Sequence, residues 1–189
     1  MTRTLIGGVG YSQLTDLSFG PLFVAKFQAV EWPEGVVVED LFYGPLFIMH
    51  YLDEREPFDR MVFIGAVRRE TTPGEIRRYR WNHELPDIEE VKARVVEAAT
   101  GVTSLENLLV VGTYFKKFPP DVIVIEVEPD IEECGEHLSP AVEPAPQKVL
   151  ELVQRILAGA DEPLQRYDYI IADPSERPTG WIVRPAGEL

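Results

Sequence analysis

The sequence has few of the features that mark a membrane protein, a disulfide-stabilised protein or a metalloprotein. Its 189 residues include one cysteine, which excludes a disulfide within the chain. No apolar run approaches the roughly 20 residues that a membrane-spanning helix needs, and the first residues lack the pattern of a signal peptide. The three histidines, His50, His83 and His137, have no metal-ligand spacing among them. We therefore expect a cytoplasmic protein with no metal site and no cofactor of its own.

Positive charge is also scarce in this chain. It has 18 lysines and arginines against 32 aspartates and glutamates, a formal net charge of -14. Such a charge repels phosphate backbones and anionic lipid headgroups, so we expect neither nucleic acid nor a membrane as partner. A protein or a small molecule is the better candidate, and the length and the 45% hydrophobic content suit one packed domain.

Short apolar strands and amphipathic helices alternate along most of the sequence. Strands are predicted at 4–9, 36–40, 58–67, 75–81 and 121–129, with the fourth suited to a sheet edge, and helices at 19–30, 45–54, 86–99 and 139–159. The segment 104–115 fits a helix or a strand. The order predicts an α/β fold, a single-domain three-layer sandwich. Its twisted, mostly parallel sheet has about five strands, with helices on both faces.

Two carboxylates and a histidine are the candidate catalytic residues. Asp16 and Asp40 follow the first two predicted strands, and open α/β sheets place their ligand crevices at such strand ends. Either they form a paired-carboxylate site for a metal or for acid-base work, or Asp16 caps the following helix and Asp40 holds a turn. His83, in "WNHELPD", is a weaker candidate, because a surface histidine at a helix entrance explains it better. The loop "GGVGYSQLTDLSFG" lacks the spacing of a dinucleotide site.

Four segments resemble the [NiFe]-hydrogenase maturation endopeptidases, which remove a C-terminal extension from the hydrogenase large subunit after nickel insertion. They are "GGVGYSQLTDLSFG", "VVVEDLFYG", "FIGAVRRETTPG" and the long stretch from "FPPDVIVIEVEPD" to "LELVQRIL". The resemblance covers residues 5–157, which we assign to a maturation protease-like domain at 1–160, with a C-terminal extension at 161–189. It implies that 104–115 is a helix. It also identifies Gly8, Gly10 and Gly20 as the frame of the first loop.

The resemblance implies three positions that grip the nickel of the unprocessed substrate, and none carries a donor here. They are Leu17, Gly65 (or Ile64 in an ungapped alignment) and Gly101. Hydrocarbon side chains and glycine offer nickel no side-chain ligand. The small residues that follow Asp40 in the family are replaced by a leucine, Phe42 and Tyr43, which we expect to fill the substrate cleft, and Tyr11 stands in place of the turn asparagine.

From this pattern we expect a catalytically degenerate relative that binds a hydrogenase large subunit, or its C-terminal tail, and assists maturation. Nickel would belong to the substrate. Two alternatives remain open: an active endopeptidase with a site rearranged around Asp16, Asp40 and His83, and a protein recruited to another partner altogether.

Overall fold

A five-stranded sheet lies at the centre of the structure, a computed structural model that describes residues 2–101 and 104–160. Its strands are β1 (Thr4–Gly8), β2 (Val36–Asp40), β3 (Arg60–Ala66), β4 (Ile76–Arg80) and β5 (Asp121–Val127). They lie in the order β2-β1-β3-β5-β4. The first three and β5 are parallel, and β4 runs antiparallel to β5 at the edge. The predicted α/β fold with a mostly parallel sheet is confirmed, including the edge position of β4.

Five helices cover the two faces of this sheet. They are α1 (Phe19–Phe27), α2 (Pro45–Asp53), α3 (Ile88–Ala99), α4 (Leu105–Tyr114) and α5 (Ala145–Leu157). Alternate strand residues enter two separate cores. Phe63 packs with α2 and α4 on one face, whereas Val62 and Ile64 pack with α1 and α5 on the other. Burial on both faces explains why the strands read as continuous apolar runs.

Helix α4 is the segment whose local sequence fits two conformations. The side chain of Ser104 caps the helix by accepting a hydrogen bond of 3.1 Å from the Asn107 amide. Leu108, Val110 and Val111 are all fully buried, so the helix is enclosed on every side. That environment accounts for its β-branched composition, and the helical expectation for 104–115 is confirmed.

Two helix predictions need correction. The helical spacing of Ile88, Val91 and Ala98 predicts all three on the buried face of α3, but the Ile88 side chain is 55% exposed, and the buried positions are Val91, Arg94 and Ala98. Ser139 and Pro140 were expected to begin the last helix. Ser139 instead opens a hydrogen-bonded turn and α5 begins at Ala145. In a helix begun at 139, the prolines at 144 and 146 would lie past the first turn, where their missing N–H groups break the hydrogen-bond pattern, whereas the first turn of α5 does not need those groups.

No helix within 2–101 and 104–160 has the length and apolarity to cross a membrane. The predicted C-terminal extension at 161–189 lies outside the described residues. The strand that the sequence suggests at "YDYIIADP" and the expected exposure of Trp181 belong to this extension.

Candidate functional site

The carboxyl ends of the four parallel strands define one edge of the sheet, which we call the carboxyl edge. β1 ends there at Gly8, β2 at Asp40, β3 at Ala66 and β5 at Val127. The loops that follow these strands, together with the start of α4, gather at this edge. Open parallel sheets bind their ligands at such strand ends, so the candidate site is sought here.

The first glycine loop brings helix α1 directly against the sheet. A Cβ added at Gly8 would overlap the carbonyl group of Gly20, and one added at Gly20 would overlap the backbone of Val9. At Gly10, an added Cβ would lie 2.5 Å from the Leu17 carbonyl oxygen, to which the Tyr11 amide donates at 3.2 Å. At these three positions the backbones approach too closely for a side chain, so glycine is required there. Gly8, Gly10 and Gly20 thus form the frame of the first loop.

Asp16 lies in a short 3-10 helix (Thr15–Ser18) and is fully buried. Its carboxylate accepts hydrogen bonds from the amides of Asp130 and Ile131, both at 3.0 Å, and from the Ser139 amide at 2.8 Å. The expectation that Asp16 caps α1 is therefore wrong. Its side chain ties the first loop to the loop after β5, with charge-assisted bonds to three backbone donors.

Asp40 holds a turn, as one of its two expected roles required. Its carboxylate accepts a 3.1 Å hydrogen bond from the Phe42 amide. Burial raises the pKa of Asp40 above its ordinary value, and the neighbouring Glu39 charge adds to this rise, while the Phe42 amide opposes it. A catalytic role for Asp16 or Asp40 stays a prediction.

His83 lies at the opposite edge of the sheet. It follows β4, which runs antiparallel, and its Nε2 is 3.3 Å from the carbonyl oxygen of Pro120, just before β5 begins. The fold therefore does not bring His83 together with Asp16 and Asp40, which both lie at the carboxyl edge. The rearranged site built from all three residues is not formed.

The three positions at which the family resemblance implies nickel ligands fall around the carboxyl edge. Leu17 is half-buried on the 3-10 helix. Gly65 is buried in β3, where an added Cβ would lie 2.8 Å from the Val9 carbonyl oxygen and 3.4 Å from the Leu105 side chain. Larger side chains therefore do not fit at Gly65 without a shift of the backbone.

Ile64, the other possible position in β3, packs in the core with α1 and α5, on the face away from Leu105. Gly101 has a φ of +86°, in the left-handed region that side chains other than glycine rarely adopt. Among the described residues, and apart from its neighbours in the chain, no atom lies within 4 Å of a Cβ added at Gly101. A histidine there would have space, at the cost of backbone strain.

A buried carboxylate lies directly beside Gly65, and the sequence reasoning missed it. Glu126 in β5 is the register partner of Gly65 and is 2% exposed. Arg69 binds it with two hydrogen bonds, of 3.1 Å from Nε and 2.8 Å from the terminal nitrogen. Tyr79 donates a third at 2.6 Å, and Arg69 also bonds Glu106 at 2.7 Å. Glu126, next to a position that the resemblance implies as a ligand, is thus paired with the protein's own guanidinium.

Electrostatics within this cluster favours a charged Arg69 and a neutral Tyr79. Hydrogen bonding and charge attraction from Glu126 outweigh desolvation and raise the pKa of Arg69. Burial, and then the Glu126 charge, raise the pKa of Tyr79 well above its ordinary value, so it remains a donor. The sequence did contain a signal that Glu126 is buried. In the alternation of the strand, Glu126 falls on the same face as Val122 and Val124, and this strand has apolar residues on both faces.

The three residues after Asp40 differ in burial. Leu41 is buried, and it occupies the space where a side chain at Gly7 would lie. The side chains of Phe42 and Tyr43 are 39% and 44% exposed, and their ring centroids lie 4.0 Å apart. Their expected role in filling a substrate cleft stays a prediction.

Within the described part of the chain, no group of three or more histidine, cysteine or acidic side chains could hold a metal ion. The carboxylates nearest the implied ligand positions are engaged by backbone amides or by Arg69. The chemistry available at this edge is therefore hydrogen bonding, apolar contact and negative charge.

Comparison of the structure with solved proteins identifies its class of fold. The chain matches no protein-family model and no curated protein sequence. Its structure resembles the hydrogenase maturating endopeptidase HybD from Escherichia coli, with a TM-score of 0.60, 24% identity, and coverage of 84% of this chain and 94% of that one. The fold is that of the hydrogenase maturation proteases.

Two archaeal structures agree with this assignment. The hydrogenase 2 maturation peptidase from a Thaumarchaeota archaeon gives a TM-score of 0.57 at 23% identity, with coverage of 85% of this chain and 100% of that chain. The [NiFe] hydrogenase maturation protease HycI from Thermococcus kodakarensis gives a TM-score of 0.57 at 21% identity, with coverage of 83% of this chain and 93% of that chain. The resemblance seen in four sequence segments thus extends over the whole folded domain.

Proposed function

We propose that this protein is a catalytically degenerate relative of the hydrogenase maturation proteases that binds a [NiFe]-hydrogenase large subunit, or its C-terminal tail, and assists maturation without cleaving it. The observation that carries the proposal is the absence of a donor side chain at Leu17, Gly65 and Gly101 on a maturation protease fold. Nickel would be part of the substrate, and the protein would need no cofactor. A cytoplasmic location belongs to the same proposal.

Two features around Gly65 support the loss of cleavage. A carboxylate at this position would need to displace the Val9 carbonyl or the Leu105 side chain. The neighbouring Glu126 cannot substitute while Arg69 and Tyr79 occupy its oxygens. A cation approaching Gly65 would therefore find the Glu126 oxygens already occupied by hydrogen-bond donors.

The experiment is incubation of the protein with a nickel-loaded large-subunit precursor, followed by mass measurement and size-exclusion chromatography. We expect an intact precursor that co-elutes with the protein. The precursor's own maturation protease serves as the positive control for cleavage, and a large subunit lacking the C-terminal extension shows whether the tail is needed.

Two outcomes would contradict the proposal in different ways. Release of a C-terminal peptide would show retained activity, and loss of that release in Asp40→Asn, which keeps the turn acceptor for Phe42, would implicate this carboxylate. Absence of both cleavage and co-elution would remove the large subunit as partner and leave recruitment to another protein.

A further inference from the structure

Three aromatic side chains form an exposed surface at the carboxyl edge. Phe42, Tyr43 and Phe47, together called the aromatic surface, are 39%, 44% and 60% exposed. The ring centroids of Tyr43 and Phe47 lie 4.9 Å apart, and the Phe42 and Tyr43 rings are also stacked. Burying such rings would be favourable, and clustered exposed aromatics mark interaction sites more often than isolated ones do.

The aromatic surface borders the candidate site on two sides. On one side, the amide of Leu41 donates to the Gly8 carbonyl at 2.8 Å, which joins the loop after β2 to the end of β1. On the other, a Cβ added at Gly44 would lie 3.5 Å from the Cα of Gly101. A segment that lies on these rings therefore passes next to the positions where the ligands are missing.

A strongly acidic segment lies at the same edge, after β5. Between Glu126 and Glu136 the sequence has six carboxylates and no lysine or arginine. The side chains of Asp130, Glu132, Glu133 and Glu136, which we call the acidic loop, are exposed. Asp16 holds the backbone of this loop in place. The acidic loop adds local negative charge to a chain whose net charge is already -14.

The backbone of the acidic loop folds back onto the loop after β1. The Thr15 amide donates to the Gly135 carbonyl and the Gly135 amide donates to the Gln13 carbonyl, both at 3.0 Å. The aromatic surface follows β2, which lies next to β1 in the sheet. Both surfaces therefore border the loop after β1, which carries the uncharged Leu17.

We propose that the carboxyl edge docks an extended polypeptide segment of a partner protein that has apolar side chains on the aromatic surface and basic side chains on the acidic loop. Charge complementarity selects a basic segment over an acidic one. The aromatic rings provide the apolar contact area, as in other peptide-docking sites. The inference extends the proposed function and does not require that the partner be a hydrogenase subunit.

The test is fluorescence anisotropy of the full-length protein with a fluorescein-labelled peptide of about ten residues, carrying Leu-Phe near one end and Arg-Lys near the other. Two further probes replace Arg-Lys by Glu-Glu and Leu-Phe by Ser-Ser. We expect the first peptide to bind, and each replacement to weaken binding at least about tenfold.

Matched protein variants assign the two halves of the site. Tyr43→Ser with Phe47→Ser should weaken binding of the first peptide about tenfold. The control pair Tyr114→Ser with Phe115→Ser removes two rings of similar exposure at the opposite edge and should leave binding unchanged. Asp130→Asn with Glu133→Gln should weaken binding of the first peptide and reduce the salt dependence of binding. The control pair Glu31→Gln with Glu34→Gln, in the loop before β2, should change neither.

The proposal is overturned if the first peptide fails to bind at about 1 mM, if the Glu-Glu peptide binds equally well, or if the control pairs have the same effect as the test pairs. These outcomes are separate from failure of the proposed function. Peptide binding without a large-subunit complex would reject only the partner, whereas a complex without peptide binding would reject only this docking surface.

Discussion

Arg69 shows how a single side chain alters the chemistry of the carboxyl edge. Its guanidinium is 8% exposed and contacts two carboxylates, of which Glu126 is 2% exposed. Placing a charge so deep in a protein is costly unless a partner is present. The ion pair therefore occupies the Glu126 carboxylate beside Gly65.

Arg69→Met should destabilise the protein by about 3–5 kcal/mol, because it leaves Glu126 as an uncompensated buried charge. Urea unfolding monitored by tryptophan fluorescence measures this loss.

The neighbouring exposed Arg68 provides the control, since Arg68→Met should change the free energy of unfolding by no more than about 0.5 kcal/mol. Adding Glu126→Gln to Arg69→Met should recover part of the loss. An Arg69→Met protein as stable as the native chain would show that the ion pair contributes nothing.

The raised pKa of Asp40 predicts a pH dependence of folding stability that is opposite in sign to that of a carboxylate in an ion pair. Burial and Glu39 raise its pKa in the folded state above 3.8. The folded state thus holds this proton more tightly than the unfolded state, so its contribution to stability falls as pH rises from 3.8 through the raised pKa.

Asp40→Asn should remove this decline while retaining an oxygen for the Phe42 amide. The variant should gain stability relative to the native protein as pH increases towards neutrality, measured by urea unfolding at a series of pH values. Asp40→Ala should follow the same trend at lower stability, because it also loses the turn bond. A stability difference independent of pH would contradict the assigned burial effect.

At the scale of elements, α3 and α4 show where sequence patterns succeed and fail. The capping residues Asp87 and Ser104 mark both helix starts, and their side chains accept the expected amide hydrogen bonds. The buried face of α3 was less predictable. Arg94 occupies it by pairing with Glu90 at 2.8 Å, and Ile88 points to solvent. A hydrophobicity pattern assigns no burial to a charged residue whose partner lies on the same helix.

Leu108→Ala in α4 should cost about 2–5 kcal/mol, because the side chain is fully buried between α4 and the sheet and its removal leaves a cavity. Ile88→Ala in α3 should change stability by no more than about 0.5 kcal/mol, since this side chain is 55% exposed. Thermal or urea unfolding of the two variants compares them directly. Equal losses would mean that Ile88 is buried in solution.

At the scale of the whole molecule, strand order decides which residues can act together. The parallel arrangement collects the ends of β1, β2, β3 and β5 at one edge, whereas the antiparallel β4 sends His83 to the other. The same arrangement places the aromatic surface and the acidic loop on one edge, although about 90 residues separate them in sequence. Function at this edge is therefore a property of the topology.

The sequence by itself determined the α/β class, the number of strands and the absence of donor side chains at Leu17, Gly65 and Gly101. These follow from local periodicity, from residue chemistry and from motifs close together in the chain. The resemblance in four segments also predicted α4 as a helix, which local propensity left open.

Only the tertiary structure decided how distant side chains pair. It placed Arg69 on Glu126, directed the Asp16 carboxylate to the amides of the loop after β5, and left Phe42 and Tyr43 at the surface. Each of these outcomes depends on contacts between segments far apart in the chain, and the burial and hydrogen-bond partners of a side chain are set by those contacts. Local sequence carries no measure of them.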